Sequence, residues 1–441
     1  MSTDNAPQFI PKRITPTPEQ VAIQTAQKKV VLIDANAGAA KTTTLALRLA
    51  EALHRGRAPE RMLALVFTEA ARVALRQRLL EVGVPLGVVK RLVIDTFDAF
   101  AAKVLLQLEN MQVAFMRSDE ELRPVAWEAL EVVSEKYAHR YPLEINTTNG
   151  AIAEFLKLQL RTKARLDFQN PDFESNSLDD NLELLGMSRT HYLWLREYEA
   201  LRGADTGDIQ FRAPFDATYD LVRMLDGDEP LRQQLPAFQI IVADELHDLN
   251  EASFRLLTML IRRGNAFFCG AGDKDQVIYT WSGADHRFLR QRFEQEFPAL
   301  QRLPLTASYR YGPQLAQAVG VLKNKASVSA LSRGVEKQGQ RVGPVARHPY
   351  RRARVRPYAA ASVQRAADRR ARTRACGHHG HFAARPRPGH PRGNGLVPER
   401  HRVWPGGHEQ LSAEPGSADA ARHGCHRPQG LACDQERPAP R

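Results

Sequence analysis

Two pairs of residues limit the chemistry open to this chain: Lys41-Thr42 near its start and Asp244-Glu245 in its second half. Lys41-Thr42 closes a run of small residues, Ala35-Asn36-Ala37-Gly38-Ala39-Ala40. Small side chains let a backbone bend until its N–H groups converge, here those of Ala37, Gly38, Ala39, Ala40 and Thr43. Convergent N–H groups at a helix start suit a phosphate. Lys41 would reach the outer phosphates of a nucleotide, and the Thr42 hydroxyl would hold Mg²⁺. The usual pattern, G-x-x-x-x-G-K-[ST], has glycine where this chain has Ala35 and Ala40. Alanine resists positive φ, so a plain helix start is the other reading of the stretch.

Asp244 and Glu245 follow the apolar run Phe238 to Ala243. Adjacent carboxylates at the end of a buried strand are costly unless a cation is near. Asp244 would then hold Mg²⁺ and Glu245 would activate water. The alternative is an ordinary acidic loop in which Asp248 caps the next helix. A third stretch, Gly270 to Ala284, offers the Gln276 amide, which can sense a terminal phosphate, and two aromatics, Tyr279 and Trp281. Those rings can stack on nucleic-acid bases, a sequence-tolerant contact worth about 1–3 kcal/mol per base. Packing into the core is the other use of such rings.

These residues need elements to position them. Val30–Ile33, Met62–Phe67, Leu92–Asp95, Phe238–Ala243 and Ala266–Cys269 read as buried strands. Helical spacing follows most of them, as at Thr43–Ala50, Glu69–Glu81 and Asn250–Arg263. Strands alternating with helices predict a doubly wound parallel sheet, an α/β fold whose ligands sit at the strand carboxyl ends. Thr17-Pro18-Glu19-Gln20 reads as a helix start, with Thr17 as cap and Gln20 reaching back. Between residues 104 and 235 long amphipathic stretches such as Leu122–Ala138 and Ala151–Leu166 predict a helical insertion.

Charge and composition divide the chain sharply. Its 441 residues carry a net +12, yet residues 341–441 hold 20 Arg, no Lys and only 7 acidic residues. The remaining residues carry 42 basic against 43 acidic side chains, so the basicity says nothing about the globular part. The same last segment has no Ile and no Met but 12 Pro and 11 Gly, a composition that cannot offset its ordering entropy by burial. Its histidines and cysteines, among them Cys376, His378, Cys425 and His426, match no common zinc spacing. The four cysteines form no C-x-x-C pair, and no run of 18 apolar residues is present, so neither a disulfide framework nor a membrane span is expected. The polar N-terminus has no apolar signal core, and a cytoplasmic location is the default expectation.

Taken together, residues 15 to about 322 resemble the N-terminal part of the UvrD/Rep-like superfamily 1 DNA helicases. Thr17 to Gln20 is similar to the family's adenine-reading motif, with Gln20 as the reader. Ala35 to Thr42 is similar to its phosphate loop and Asp244 to Asp248 to its D-E-x-Q-D motif. Gly272 to Ala284 follows its G-D-x-x-Q-x-I-Y-x-W-x-G-A motif almost letter for letter. Thr68-Glu69-Ala70-Ala71 and Thr96-Phe97-Asp98-Ala99-Phe100 resemble two single-strand DNA motifs, which implies DNA contacts at Thr68, Thr96 and Phe97. Ser308-Tyr309-Arg310 resembles a motif whose Tyr stacks on adenine and whose Arg touches the γ-phosphate.

The resemblance implies a RecA-like ATPase using ATP and Mg²⁺, acting on single-stranded DNA or single/double-strand junctions, 3′ to 5′. It implies a leader over 1–14, a RecA-like core over 15–103 and 236–302, and a helical insertion over 104–235. A stub of a second RecA-like domain would follow over 303–340, then a disordered basic tail over 341–441. There are departures: Ala40 replaces a glycine, His247 a glutamine, and Asp98 a common histidine. Motifs of the second RecA-like domain are not found after residue 340. The last segment reads like a GC-rich gene out of frame, the alternative being a real disordered basic tail that binds nucleic acid, and slow hydrolysis without unwinding is the resulting expectation. The competing reading is an ATP- and DNA-binding remnant with no motor activity. Oligomeric state is not legible.

Overall fold

The computed structural model describes residues 7–169, 177–204, 208–318 and 333–334. The expected tail, and most of the expected stub beyond residue 318, lie outside the described residues.

Six parallel strands form the central sheet in the order β3-β2-β4-β5-β1-β6. They are β1 (Val30–Ala35), β2 (Met62–Val66), β3 (Val93–Thr96), β4 (Ile240–Ala243), β5 (Phe267–Gly272) and β6 (Gln301–Leu305). β1 lies between β5 and β6, with Val31 opposite Cys269 on one side and Gln301 on the other. β2 and β4 are buried along their whole length, as strands covered on both faces must be. Alternate side chains feed two cores. Leu32, Leu63, Leu65 and Ile241 face one layer, Val31, Ile33, Ala64 and Val242 the other. The first layer is closed by α4 (Phe97–Glu109), α9 (Asp216–Leu225) and α10 (Glu251–Gly264), the second by α2 (Lys41–His54) and α3 (Glu69–Val82). This is the expected RecA-like α/β architecture.

Three expected boundaries move. β6 begins at Gln301 and completes the first sheet, so the residues assigned from 303 to a second domain start inside the first. The insertion has its own core, built from α5 (Asp119–Tyr137), α6 (Asn149–Arg165) and α8 (Arg189–Leu201), with α7 (Leu178–Leu185) packed beside it. Phe155 and Trp194 stack there at 4.0 Å, and Trp194 Nε1 donates to the Ala126 carbonyl. That core ends by Ala213; α9 returns to the sheet, because Leu221, Val222 and Leu225 have their apolar partners there. The expected leader is part of the folded core from residue 7 onward. Gln8 N–H and Phe9 N–H donate to the buried Glu51 carboxylate, Lys12 N–H donates to Val82 O, and Phe9 and Ile14 pack on the core.

Buried charge joins the insertion to the sheet. Lys163 on α6 contacts Glu199 at 2.7 Å and Asp216 at 2.8 Å. Arg202, fully buried, donates to Glu199 and to both oxygens of Asp220, while Arg212 bridges Asp220 and Glu109. Each charge has partners of opposite sign, the condition under which ionic groups survive burial.

Candidate nucleotide site and DNA-facing edge

Two strand ends meet at the phosphate loop. After β1 the chain turns through Gly38 (φ +73°) and Ala40 (φ +60°), and α2 begins at Lys41. Ala40 caps α2 without a side-chain acceptor, so the first N–H groups of this helix have no side-chain cap, as an anion site requires. After β4, Glu245 is also left-handed (φ +52°). Non-glycine residues held in that region cluster where function requires the strain. Thr42 Oγ1 donates to Asp244 Oδ2 at 2.6 Å, and Lys41 Nζ lies 3.2 Å from Glu245 Oε2. Residues far apart in sequence thus form one cluster of a hydroxyl, an ammonium and two carboxylates.

Burial pushes the Asp244 pKa up to about 6, and the Glu245 charge adds to this against the Thr42 hydrogen bond and Lys41. A hard divalent cation suits that oxygen pair and would relieve the unfavourable charge, so Thr42 and Asp244 fit Mg²⁺. Asp248 is pushed up to about 7 by burial and by Glu245; it is the last residue of the helical turn Leu246–Asp248, and Asn250, not Asp248, caps α10.

His247 is buried, and burial lowers its pKa, which favours the neutral ring. Its Nδ1 accepts the Asp273 N–H at 3.3 Å, linking the end of β4 to the turn after β5. Gln276 Nε2 donates to Asp273 Oδ2 at 2.8 Å, so its amide is held beside that turn.

Gln20 sits in the predicted capping box: its Oε1 accepts the Thr17 N–H and its Nε2 donates to Thr44 Oγ1 on α2. The helix it opens, α1, spans Pro18–Gln24. The segment after β6 returns across the phosphate loop. Tyr309 N–H donates to Gly38 O at 2.9 Å and Ser308 Oγ to Ala37 O at 2.9 Å. A Cβ on Gly38 would lie 2.5 Å from Arg310 Cβ, so only glycine permits this approach. Tyr309 and Arg310 remain exposed beside the loop.

Tyr279 and Trp281 are 44% and 46% exposed and meet edge to face at 6.2 Å, which decides against the core reading of both. Their turn is held by Asn250 Nδ2 donating to Ser282 O and packs near Ala164 and Arg165 of α6. Thr68 and Thr96 cap α3 and α4 through their hydroxyls, which accept Ala71 N–H and Ala99 N–H. Phe97 is a correction. It is 3% exposed and packs against Phe67 at 4.9 Å, because the first turn of α4 faces the apolar layer, so its ring is not offered to DNA.

Asp98 does not face a phosphate backbone either. It accepts hydrogen bonds from Phe215 N–H, Thr218 N–H and Thr218 Oγ1, tying α4 to the start of α9. Phe215, outside every motif named above, is an aromatic at φ +72° that is 39% exposed. Its strained backbone is invisible in the sequence, though an aromatic after Pro214 at the end of the insertion is a signal.

Residues 16–298 match the family described as UvrD/REP helicase N-terminal domain, more than half of the chain. The chain is 25% identical over 329 residues to a putative ATP-dependent DNA helicase, YjcD, of Bacillus subtilis, covering 72% of this chain and 41% of that protein. It is 29% identical over 268 residues to a probable DNA helicase II homolog of Mycoplasma pneumoniae, covering 60% and 36%. It is 26% identical over 314 residues to the ATP-dependent DNA helicase PcrA of Staphylococcus aureus, covering 70% and 40%. The chain therefore spans well under half the length of these curated relatives.

Proposed function

This chain belongs to the UvrD/REP helicase N-terminal domain family, and from that premise we propose that it binds and hydrolyses ATP in a reaction coupled to single-stranded DNA, as the motor of a 3′-to-5′ helicase. The observation that carries the reading is the pair of contacts Thr42–Asp244 and Lys41–Glu245, which join the phosphate loop to the end of β4.

In this reading the N–H groups of Ala37, Gly38, Ala40 and Thr43 cradle phosphate oxygens, Ala39 N–H being donated to Asn36 O at 3.1 Å, and Lys41 neutralises the outer phosphates. Mg²⁺ held by Thr42 and Asp244 would neutralise charge on the transferring phosphate. Glu245 orients and deprotonates the attacking water. Gln276 reports the terminal phosphate through Asp273 and His247. Arg310 supplies the second-side cation, Gln20 reads adenine and Tyr309 stacks on it. Thr68, Thr96, Tyr279 and Trp281 meet single-stranded DNA or the strand next to a junction, with Phe215 as a further exposed ring.

ATP turnover by the full chain, measured with and without oligo-dT, tests the reading. Stimulation by DNA, abolished in Lys41→Ala and Glu245→Gln, is the expected result. Turnover indifferent to DNA and to both substitutions would overturn it. DNA and ATP binding without turnover would favour the remnant instead.

A further inference from the structure

One carboxylate ties together the two elements that flank the base side of the proposed nucleotide site. Glu19 precedes Gln20 on α1, and Thr306 stands shortly before Tyr309. Thr306, 7% exposed, donates twice to Glu19: its N–H to Oε2 at 2.8 Å and its Oγ1 to Oε1 at 2.7 Å. The other anchors of this segment go to the phosphate loop. Asn36 N–H donates to Leu305 O, Asn36 Nδ2 to Thr306 O, Ser308 Oγ to Ala37 O and Tyr309 N–H to Gly38 O. Helix α1 has its own anchors on α2, through Gln20–Thr44 and Gln24–Glu51. The Glu19–Thr306 pair crosses from one anchored element to the other.

We infer that Glu19 is a positioning residue for base selection: by holding Thr306 it fixes the Tyr309 ring relative to the Gln20 amide. It sets the preference for adenine and leaves phosphate binding untouched. The inference rests on the nucleotide site proposed above. Two charge-assisted hydrogen bonds to one carboxylate are strong and directional, so they define an orientation as well as a distance. A ring that stacks and an amide that reads an edge discriminate between bases only when the free protein already holds them in register.

Equilibrium binding of ATP, GTP and inorganic tripolyphosphate to the full chain tests this. Glu19→Ala should weaken ATP about tenfold, the loss expected for one charge-assisted interaction, and bring ATP and GTP to equal affinity. Its tripolyphosphate affinity should match the parent's. Thr306→Val should shift ATP in the same direction by less, and the double variant should lose no more than Glu19→Ala alone. Glu19→Gln should keep most of the preference, since its amide oxygen can still accept the Thr306 N–H.

Parental ATP and GTP affinities in Glu19→Ala would overturn the inference, as would an equal loss of tripolyphosphate. If Glu19→Ala does not fold, Thr306→Val is judged by the same criteria. A parent that binds no ATP would instead overturn the nucleotide site, and the positioning role with it.

Discussion

Lys41 Nζ lies 3.2 Å from Glu245 Oε2, so the cation that would meet a phosphate is paired with the carboxylate that would activate water. Phosphate binding must exchange that partner. Lys41→Ala should therefore abolish ATP binding, whereas Glu245→Gln should bind ATP at least as tightly as the parent and not hydrolyse it. Calorimetric binding paired with phosphate release checks both; weakened ATP binding by Glu245→Gln would contradict the exchange.

Ala40 holds a left-handed backbone that costs a non-glycine residue about 1–2 kcal/mol. Part of that cost returns as unfolded-state entropy when glycine is introduced. Ala40→Gly should raise stability by up to about 1 kcal/mol, read as a higher urea midpoint at an unchanged slope. A lower midpoint would show that the Ala40 methyl has a packing role.

Trp281 is 46% exposed, so its removal should leave the melting temperature near the parent's. If the ring stacks on a base, Trp281→Ala should weaken single-stranded DNA binding by about 1–3 kcal/mol. Fluorescence anisotropy with a labelled oligonucleotide and a thermal melt separate the two effects. A lowered melting temperature with unchanged affinity would assign the ring to packing.

Burial, with Asp216 adding, raises the Asp98 pKa to about 6 in the folded protein, against 3.8 for an ordinary aspartate. The folded state therefore holds an extra proton between those values, and the contribution of Asp98 to stability falls as pH rises through that window. Two pKa units correspond to about 3 kcal/mol. Asp98→Asn should remove this dependence: the parent should lose stability relative to the variant from about pH 4 to about pH 6 and run parallel above. A constant difference across the range would contradict it.

Residues 341–441 carry 20 Arg and 7 acidic residues. A chain shortened at Gln340 should lose most salt-sensitive, sequence-blind affinity for nucleic acid, seen as a shallower dependence of log K on log salt. An unchanged slope would assign that affinity to the globular part.

The sequence by itself determined the strands and their order of function. Apolar runs such as Met62–Val66 and Ile240–Ala243 can be stable only when covered on both faces, and the residues that follow such runs stand at a sheet edge. Hence Lys41, Thr42, Asp244, Glu245 and Gln276 could be placed just beyond strand ends from the sequence alone. The local capping of α1, α3 and α4 by Thr17, Thr68 and Thr96 was equally accessible, because it depends on neighbours a few residues away.

What only the tertiary structure decided depends on partners far apart in the chain. Phe97 and Trp281 are both aromatics in DNA-like motifs, but only packing makes one a core residue and the other a surface ring. Asp98 turned to α9, β6 joined the first sheet, and Glu51 captured the leader, each through contacts that no local pattern encodes. The Glu19–Thr306 pair is of the same kind: a carboxylate on the first helix finds its donors only after six strands have been laid side by side.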